Sequence, residues 1–321
     1  MDLTRRTVVA GSGALGTASL LPSGAFAKAP LSTAQTVGFH RFKLGTFDVI
    51  ALHDGAVAFP LPKGFVRNAT DADVAKAFAD TGLPSDKLTI TFTTMVVNTG
   101  DKVVLFDTGF GNNGQPTTGN TAAALAAAGI AAKDVDAVVF SHFHGDHING
   151  VRSKEGALVY PNAQIMVPEA EWGFWMDDAK MSAAPEGMKG NFALVRKQFG
   201  PEKDIQRFGW GKEIIPGITT VQADGHTPGH TAFVIASGNE KMMYVADITN
   251  HPALFVRRPD WQAVFDMDGE KAIATRRMIL DMAASENIRL SFYHAPFPAT
   301  GFVVKDGSGY EFMPALWKTT I

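Results

Sequence analysis

The feature that most constrains this chain is a Ser-His-Phe-His-Gly-Asp-His segment that ends at His147 and follows four apolar residues. Within this segment lie four potential metal ligands: His142, His144, Asp146 and His147. Residues two apart on an extended chain point the same way, so His142 and His144 are predicted to hold one ion together. A bend at Gly145 would direct Asp146 and His147 toward a second ion. A histidine-rich surface loop is the alternative, and this spacing disfavours it.

The composition narrows which metal such a segment can hold. The 321 residues include no cysteine, which removes disulfides, thiolate nucleophiles and thiolate ligands together. Any metal must therefore bind mainly to histidine and carboxylate, for which two divalent ions, by default Zn²⁺, are predicted, while Mn, Co or Fe also suit these ligands. The formal net charge of −3 makes a nucleic acid an unsuitable substrate, because phosphate backbones require a basic surface.

The first residues have the pattern of an export signal rather than of a folded element. Arg5-Arg6 is followed by a mildly apolar run to Leu21 and by the small-x-small sequence Ala25-Phe26-Ala27. The segment around the arginines resembles a twin-arginine signal. We therefore predict an export signal at residues 1–27, a single folded domain at 28–321 and a periplasmic or secreted location. The apolar run is too short and weak to span a bilayer, so stable membrane insertion is not expected. A cytoplasmic protein with an irregular N-terminus is the alternative.

Alternation and turn signals predict an α/β protein with no short internal repeat. The stretch Gly38–Pro60 reads as a hairpin with its turn near Gly45. The best helix pattern is 268–285, with Met278, Ile279 and Met282 on one face. Further strands are predicted at 88–98, 102–106, 136–140, 164–167, 218–222, 231–236, 242–246, 288–293 and in a hairpin at 302–312, and further helices at 71–79, 121–128, 169–177 and 188–199.

Five separate motifs together resemble the metallo-β-lactamase superfamily, and they follow one another in the order its members have. They are Asp107-Thr108-Gly109, the His-x-His-x-Asp-His segment, Gly-His-Thr-Pro-Gly-His ending at His230, Tyr-Val-Ala-Asp ending at Asp247, and Phe-Tyr-His ending at His294. The resemblance covers nearly all of residues 28–321. It implies an αββα sandwich, in which two mixed β-sheets pack together with helices on the outer faces.

The resemblance also implies a ligand set of seven side chains. The first ion would be held by His142, His144 and His230, the second by Asp146, His147 and His294, with Asp247 bridging them. Asp107 would orient a ligand through hydrogen bonds, and His226 would order the turn before His230. Two cations roughly 3.5–4 Å apart trap a hydroxide that attacks a carbonyl carbon or a phosphorus. Asp146 is expected to be catalytic as well, by passing a proton to the leaving group.

Within the superfamily the chain looks most similar to the methyl parathion hydrolase-like group and its lactonase and arylesterase relatives. This implies a hydrolase for a hydrophobic lactone or carboxylic aryl ester. Trp175 and Phe192 are predicted as pocket walls, and His251 either touches substrate or orders its loop. Two positions depart from these relatives: Gly145 stands where methyl parathion hydrolases have Pro, and Asn250 where many homoserine lactonases have a catalytic Tyr.

Other functions stay open at this point. An organophosphate triesterase is the runner-up, because a bridging hydroxide attacks either centre, and a β-lactamase ranks below it. A periplasmic metal-binding protein without catalysis is the non-enzyme alternative. The partner we expect is a small ester or lactone, while a homodimer and the identity of the natural substrate stay open.

Overall fold

The computed structural model describes residues 31, 32, 35, 36 and 38–321. The predicted export signal at 1–27 lies outside these residues, so both the signal and the exported location stay predictions. The elements below all belong to one compact unit, Val37–Ile321. In the part of the chain that is described, every helix is too short or too polar to cross a membrane.

The first half of the unit forms a seven-stranded mixed sheet in simple sequence order. Its first four strands are antiparallel neighbours, and the fourth to seventh run parallel. Its strands are β1 (Phe39–Leu44), β2 (Phe47–Pro60), β3 (Lys87–Asn98), β4 (Val103–Phe106), β5 (Ala137–Val139), β6 (Gln164–Pro168) and β7 (Ile205–Phe208).

The second half forms another seven-stranded sheet, also in sequence order. Here only one neighbouring pair, β11 with β12, is parallel, and the other described pairs are antiparallel. Its strands are β8 (Glu213–Ile215), β9 (Ile218–Gln222), β10 (Thr231–Ser237), β11 (Glu240–Ala246), β12 (Arg289–Phe292), β13 (Thr300–Asp306) and β14 (Gly309–Pro314).

Helices fill the connections between the strands. They are α1 (Asp71–Ala79), α2 (Thr121–Ala127), α3 (Gly145–Ile148), α4 (Glu169–Trp175), α5 (Asp178–Ala183), α6 (Glu186–Phe199), α7 (Pro252–Phe255) and α8 (Gly269–Glu286), with 3₁₀ turns at Gly111–Asn113, Ala132–Asp134 and Asn149–Val151. The longest, α8, is capped at its start by Asp268, whose side chain accepts a hydrogen bond from the Lys271 N–H. After its last residue, Asn287 adopts the left-handed conformation that stops a helix.

Three hydrophobic layers confirm the predicted αββα sandwich. The two sheets face each other across rings such as Phe106, Phe233 and Tyr244, and the Phe106 and Phe233 ring centroids are 5.1 Å apart. Successive side chains of a strand point to opposite faces, so Leu105 packs outward under the helices of the first sheet. Met243 packs outward in the same way under α8. Because both faces of these strands are buried, their sequences are almost continuously apolar.

The predicted face of α8 is wrong in one respect. Met278 is 51% exposed, and the buried stripe instead contains Ile279, Leu280 and the charged Arg276. Arg276 is tolerated there because its guanidinium donates to the carbonyl oxygens of Ile248 and Pro259 at 2.6 and 2.9 Å. The hairpin around Gly45 and most other predicted elements are present, whereas β7, β8, α5 and α7 lie where nothing was predicted.

Candidate metal centre

The motifs noted in the sequence meet at one edge of the sandwich. Strands β4 and β5 are parallel, as are β11 and β12, so the carboxyl ends of each pair share an edge. Asp107 follows β4, the His-x-His-x-Asp-His segment follows β5, Asp247 follows β11 and His294 lies just beyond β12. The bend predicted at Gly145 is present as the first residue of the one-turn helix α3.

One group of ligand atoms consists of three imidazoles and a carboxylate. His144 Nδ1 lies 3.1 Å from His142 Nε2 and 2.9 Å from His226 Nε2. The Asp247 Oδ2 atom is 3.3 Å from His226 Nε2 and 3.9 Å from His142 Nε2. All four ligand atoms are within 4.8 Å of one another, which is the clustering that a tetrahedral cation requires.

A second group shares Asp247 with the first. His147 Nε2 lies 3.2 Å from Asp247 Oδ1 and 3.4 Å from Asp146 Oδ2. His294 Nε2 lies 3.0 Å from Asp247 Oδ2 and 3.4 Å from Asp146 Oδ2. The two oxygens of one carboxylate therefore face both groups, as the predicted bridging position requires. Six of the seven predicted ligands belong to these two groups.

The seventh prediction, His230, has to be corrected. Its Nε2 accepts a hydrogen bond from the Asp247 N–H at 3.1 Å, and its Nδ1 faces the Ala223 carbonyl oxygen at 2.9 Å. Both ring nitrogens are thus used within the protein, and His226 occupies the position assigned to His230. The reason is local: His230 immediately precedes β10 and its backbone pairs with Ala223, whereas His226 projects from the turn before it.

Within the described part of the chain, each imidazole of the two ligand groups except that of His144 has a further hydrogen-bond partner that fixes its orientation. His142 Nδ1 is 3.0 Å from Ser141 Oγ, and His294 Nδ1 is 2.9 Å from the Thr91 carbonyl oxygen. A carboxylate or carbonyl behind a ligating histidine fixes the tautomer and makes the ring a better donor. The two remaining rings, those of His147 and His226, are held by carboxylates.

Asp107 and Asp266 are those carboxylates. Asp107 Oδ2 is 2.8 Å from His147 Nδ1 and also accepts a hydrogen bond from the Tyr244 hydroxyl at 2.7 Å, which agrees with the orienting role predicted for it. Asp266 Oδ1 is 3.0 Å from His226 Nδ1, and this residue was not predicted. The local sequence around Asp266 gives no indication of this role, because the histidine that it orients, His226, lies 40 positions earlier in the chain.

The electrostatics of the two groups suit cation binding. Burial, reinforced by the charge of His226, lowers the pKa of His144 to about 3, so this imidazole is neutral at neutral pH. Burial opposes ionisation of Asp247, but the neighbouring His294 and His147 outweigh it and hold its pKa well below the usual range. Burial lowers the pKa of His226, but hydrogen bonds to Asp247 and Asp266 outweigh it and raise this pKa to about 9, so a cation bound there would displace a proton from that imidazole.

Buried polar atoms without a hydrogen-bond partner provide a test of whether a metal ion fits this site. Within the described residues, His147 Nε2 and Asp247 Oδ1 are buried and have no hydrogen-bond partner, although they are 3.2 Å apart. Leaving such atoms unpaired costs about 1–3 kcal/mol each. A cation would satisfy both, since their lone pairs converge with those of the other ligands. The all-histidine and carboxylate donor set is one that Zn²⁺ and related divalent ions accept.

A cavity of about 350 Å³ opens beside both groups. Most of its wall is apolar, and its polar residues are the ligands and two asparagines. It is lined by Val57, Phe59, Ile90, Phe92, Phe110, His144, Gly145, Asp146, Asn191, His226, Asp247, Asn250, Phe265 and His294. A substrate in this cavity would therefore place its reacting group at the ligands and its remainder against hydrocarbon.

The predicted pocket walls are wrong. Trp175 and Phe192 are fully buried between the first sheet and its helices, with ring centroids 4.8 Å apart. Helix α6 turns Phe192 into that core and leaves its neighbour Asn191 at the cavity. The actual aromatic walls, such as Phe92 on β3 and Phe110, have the sequence pattern of ordinary core residues.

His251 also lies outside this cavity. Its Nδ1 accepts a hydrogen bond from the Ala253 N–H at 3.3 Å at the start of α7, and its ring meets that of Phe78 edge-on at 5.1 Å. It lines a separate cavity of about 150 Å³. The loop-ordering role, one of the two roles predicted, agrees with these contacts.

Comparisons with known proteins agree with the fold. The sequence profile described as the metallo-β-lactamase superfamily matches residues 88–294. AidC, a dizinc quorum-quenching lactonase whose structure contains a product, N-hexanoyl-L-homoserine, is 30% identical, with a TM-score of 0.83 over 88% of this chain and 99% of that one. The hydrolase AbOPH of the β-lactamase superfamily is 23% identical, with a TM-score of 0.82 over 89% and 100%.

A curated relative, a "Probable metallo-hydrolase" of Mycobacterium bovis, is 26% identical over 180 residues, which are 49% of this chain. The match spans about half the length of that relative, 56%. The two ligand groups and the paired mixed sheets define a metal-dependent hydrolase. With the matching profile, they establish that the chain belongs to the metallo-β-lactamase superfamily.

Proposed function

We propose that this protein is a dinuclear metallo-hydrolase that cleaves a hydrophobic lactone or a related carboxylic ester. The observation that carries the proposal is that Asp247 belongs to both ligand groups at the base of an apolar cavity. Two groups joined by one carboxylate suit a pair of ions, and the cavity suits an uncharged organic substrate. The lactonase activity of AidC, at 30% identity over nearly its whole length, supports this choice of substrate.

Two divalent cations, when bound, would lower the pKa of a water molecule toward about 7 and polarise the substrate carbonyl. The chain's own residues would supply the remaining chemistry. The Asp146 side chain is 19% exposed and that of Asp247 only 4%, so Asp146 is the ligand carboxylate more accessible to substrate. Its Oδ2 is therefore well placed to take up a proton and deliver it to the departing alkoxide oxygen.

Asn250 would contribute a hydrogen bond to the polar end of the substrate. It lines the cavity yet is only 6% exposed, and its Oδ1 has no hydrogen-bond partner within the described chain. Because the two ends of a carboxamide interchange by rotation, it can present either a donor or an acceptor. A lactone carbonyl or the amide of an acyl side chain would satisfy it.

An uncharged phosphotriester is the second candidate. Among the described residues that line the cavity there is no lysine or arginine, so no such side chain there would pair with an anionic group on the substrate. A neutral triester satisfies this condition as well as a lactone does. We also propose, on the sequence alone, that the protein is exported to the periplasm or secreted.

A substrate panel on metal-loaded protein tests the proposal. We expect turnover of hydrophobic lactones and aryl acetates, slower turnover of paraoxon-type esters, and none of nitrocefin. The matched control is Asp247→Asn, which keeps the size of the side chain and removes the charge that both groups share. Failure of the wild-type protein to hydrolyse any ester at full metal occupancy would refute the enzyme proposal. Nitrocefin as the preferred substrate would replace it with a β-lactamase.

A further inference from the structure

Glu171 is a buried carboxylate that the chemistry above does not use. It lies on α4, is 0% exposed and belongs to neither ligand group. Its Oε1 accepts a hydrogen bond from the Gly229 N–H at 2.6 Å. Its Oε2 accepts hydrogen bonds from the Phe143 N–H at 3.1 Å and from the Trp175 indole N–H at 2.7 Å.

The two backbone donors lie in the two loops that carry the first ligand group. Phe143 is the residue between His142 and His144, and Gly229 follows His226 by three positions in the next loop. These loops are far apart in the chain, yet a single side chain binds both. Each oxygen of Glu171 thus holds one of the two segments whose separation sets the distances among the three imidazoles.

The contact at Gly229 leaves no room for a side chain. A Cβ there would lie 2.2 Å from the Glu171 backbone nitrogen and 2.9 Å from its Cγ. The second glycine of the Gly-His-Thr-Pro-Gly-His motif is therefore explained by the close approach of α4 rather than by an unusual φ angle. The fit of α4 against this loop is steric as well as polar.

A buried carboxylate without a cationic partner is costly: burial raises the pKa of Glu171, and the groups that oppose this rise are hydrogen-bond donors such as Gly229 and Phe143 rather than a lysine or arginine among the described residues. An apolar residue would pack α4 at lower cost. The hydrogen bonds to the two loops are what the carboxylate adds beyond packing. Such a charge is useful where fixed geometry matters more than stability.

We infer that Glu171 is a positioning residue that joins the loop containing Phe143 to the loop containing Gly229 and so fixes the first metal site. The inference rests on the metal centre of the proposed function but not on any particular substrate. It predicts that substitution of Glu171 weakens binding of the first cation, which His142, His144 and His226 would hold. The second cation should be retained, because Asp146 and His147 lie beyond Phe143 in the separate turn α3 and His294 lies in neither loop.

The test is metal titration of the metal-free variant Glu171→Gln. In this variant the amide NH₂ of Gln would face a backbone N–H in place of an acceptor oxygen. One of the two loops would therefore lose its hydrogen bond to residue 171. We expect the first Zn²⁺ to bind on the order of 10- to 100-fold more weakly, as found when outer partners of ligands are removed, with the second unchanged. Anomalous diffraction at the zinc edge would assign the weakened ion to its group.

Two matched variants separate positioning from general damage. Glu169→Gln alters an exposed glutamate on the same helix, which pairs with Arg207 at 3.4 Å, and should bind both ions normally. Trp175→Phe removes the third donor to Glu171 without touching either loop, and should also bind both ions. Equal loss of the first ion in Trp175→Phe and Glu171→Gln would overturn the inference in favour of simple core disruption.

Glu171→Asp provides a second test of the inference in case Glu171→Gln does not fold. It keeps the charge, but the shorter side chain cannot reach both loops, so the first ion should again be weakened while the metal-free protein unfolds cooperatively. Wild-type affinity for both ions in either folded variant would refute the inference. If wild-type protein binds two ions but hydrolyses no ester, the proposed function fails and this inference stands.

Discussion

The backbone N–H of Asp247 donates a hydrogen bond to the Nε2 atom of His230 at 3.1 Å. His230 therefore stands behind the shared carboxylate and positions it, while His226, four residues earlier, contributes its own Nε2 atom to the first ligand group. Two histidines of one motif thus have different tasks, and mutation should separate them.

His226→Ala should abolish binding of the first cation, because it removes one of three imidazole ligands. His230→Ala should leave both ligand groups complete and lower metal affinity only on the order of 10- to 100-fold, through displacement of Asp247. Metal content after dialysis against a weak chelator measures both. The reverse order of severity would restore His230 as the ligand.

Asp266→Asn should lower affinity for the first cation by a similar factor, because it weakens the acceptor that orients His226. It should also lower the free energy of unfolding by about 1–3 kcal/mol, because Arg276, buried beside Asp266, loses a charged partner. Asp260→Asn, an exposed change nearby, is the control and should do neither. Unchanged zinc affinity in a folded Asp266→Asn protein would contradict the orienting role.

Asn250→Ala should keep both cations and lower kcat/KM for lactones on the order of tenfold, as expected for the loss of one hydrogen bond to a neutral polar group of the substrate. Asn191→Ala, at the exposed end of the same cavity, should change KM only slightly. Steady-state kinetics on metal-loaded protein provide the comparison. Equal effects of the two changes would rule out a special role for Asn250.

Phe92→Leu should raise KM for long-chain lactones about tenfold, because apolar contact in a pocket is worth 1–3 kcal/mol. Phe192→Leu should leave KM unchanged and cost about 1 kcal/mol of stability, because Phe192 lies in the outer core. KM values and urea denaturation of the two variants test this distinction. A KM effect confined to Phe192→Leu would return that residue to the pocket.

Zinc should stabilise the wild-type protein by about 2.7 kcal/mol at a free concentration 100 times the Kd, for each ion that binds only the folded state. Asp247→Ala, which removes a ligand from both groups, should show almost no such shift. Thermal unfolding with and without Zn²⁺ after chelation measures it. A full shift in Asp247→Ala would show that the ions do not share this carboxylate.

The sheets were predictable because their strands are strongly apolar. In β4 and β11 both faces are covered, so Leu105 and Phe106, or Met243 and Tyr244, are all buried and the signal is continuous. The strands β7 and β8 were missed because they are short and largely solvent-accessible, as at Gln206 and Glu213, and so lack an apolar pattern. Tertiary pairing, rather than local sequence, makes them strands.

Most of the metal centre was predictable because its ligands are dense in the chain. The prediction of His230 as a ligand was wrong because His226 and His230 are only four residues apart. Spacing alone does not say which of the two side chains the turn directs toward the other ligands. Asp266 orients a histidine 40 positions away, and Glu171 binds two loops that lie 28 and 58 positions away, so no local pattern could identify either residue. The prediction of the cavity walls was wrong for the same reason. Phe92 has the sequence pattern of a core residue, and only the position of β3 beside the ligands places it at the cavity.

Of the described residues in the two ligand groups, only Asp247 belongs to both. Substitution of any other residue in these groups would remove a ligand from one group only, and the other group would still be able to hold an ion. A change at Asp247 dismantles both halves at once, so tolerance to mutation is unevenly distributed around the site. If two cations bind as proposed, a single substitution at the end of β11 would therefore weaken the binding of both.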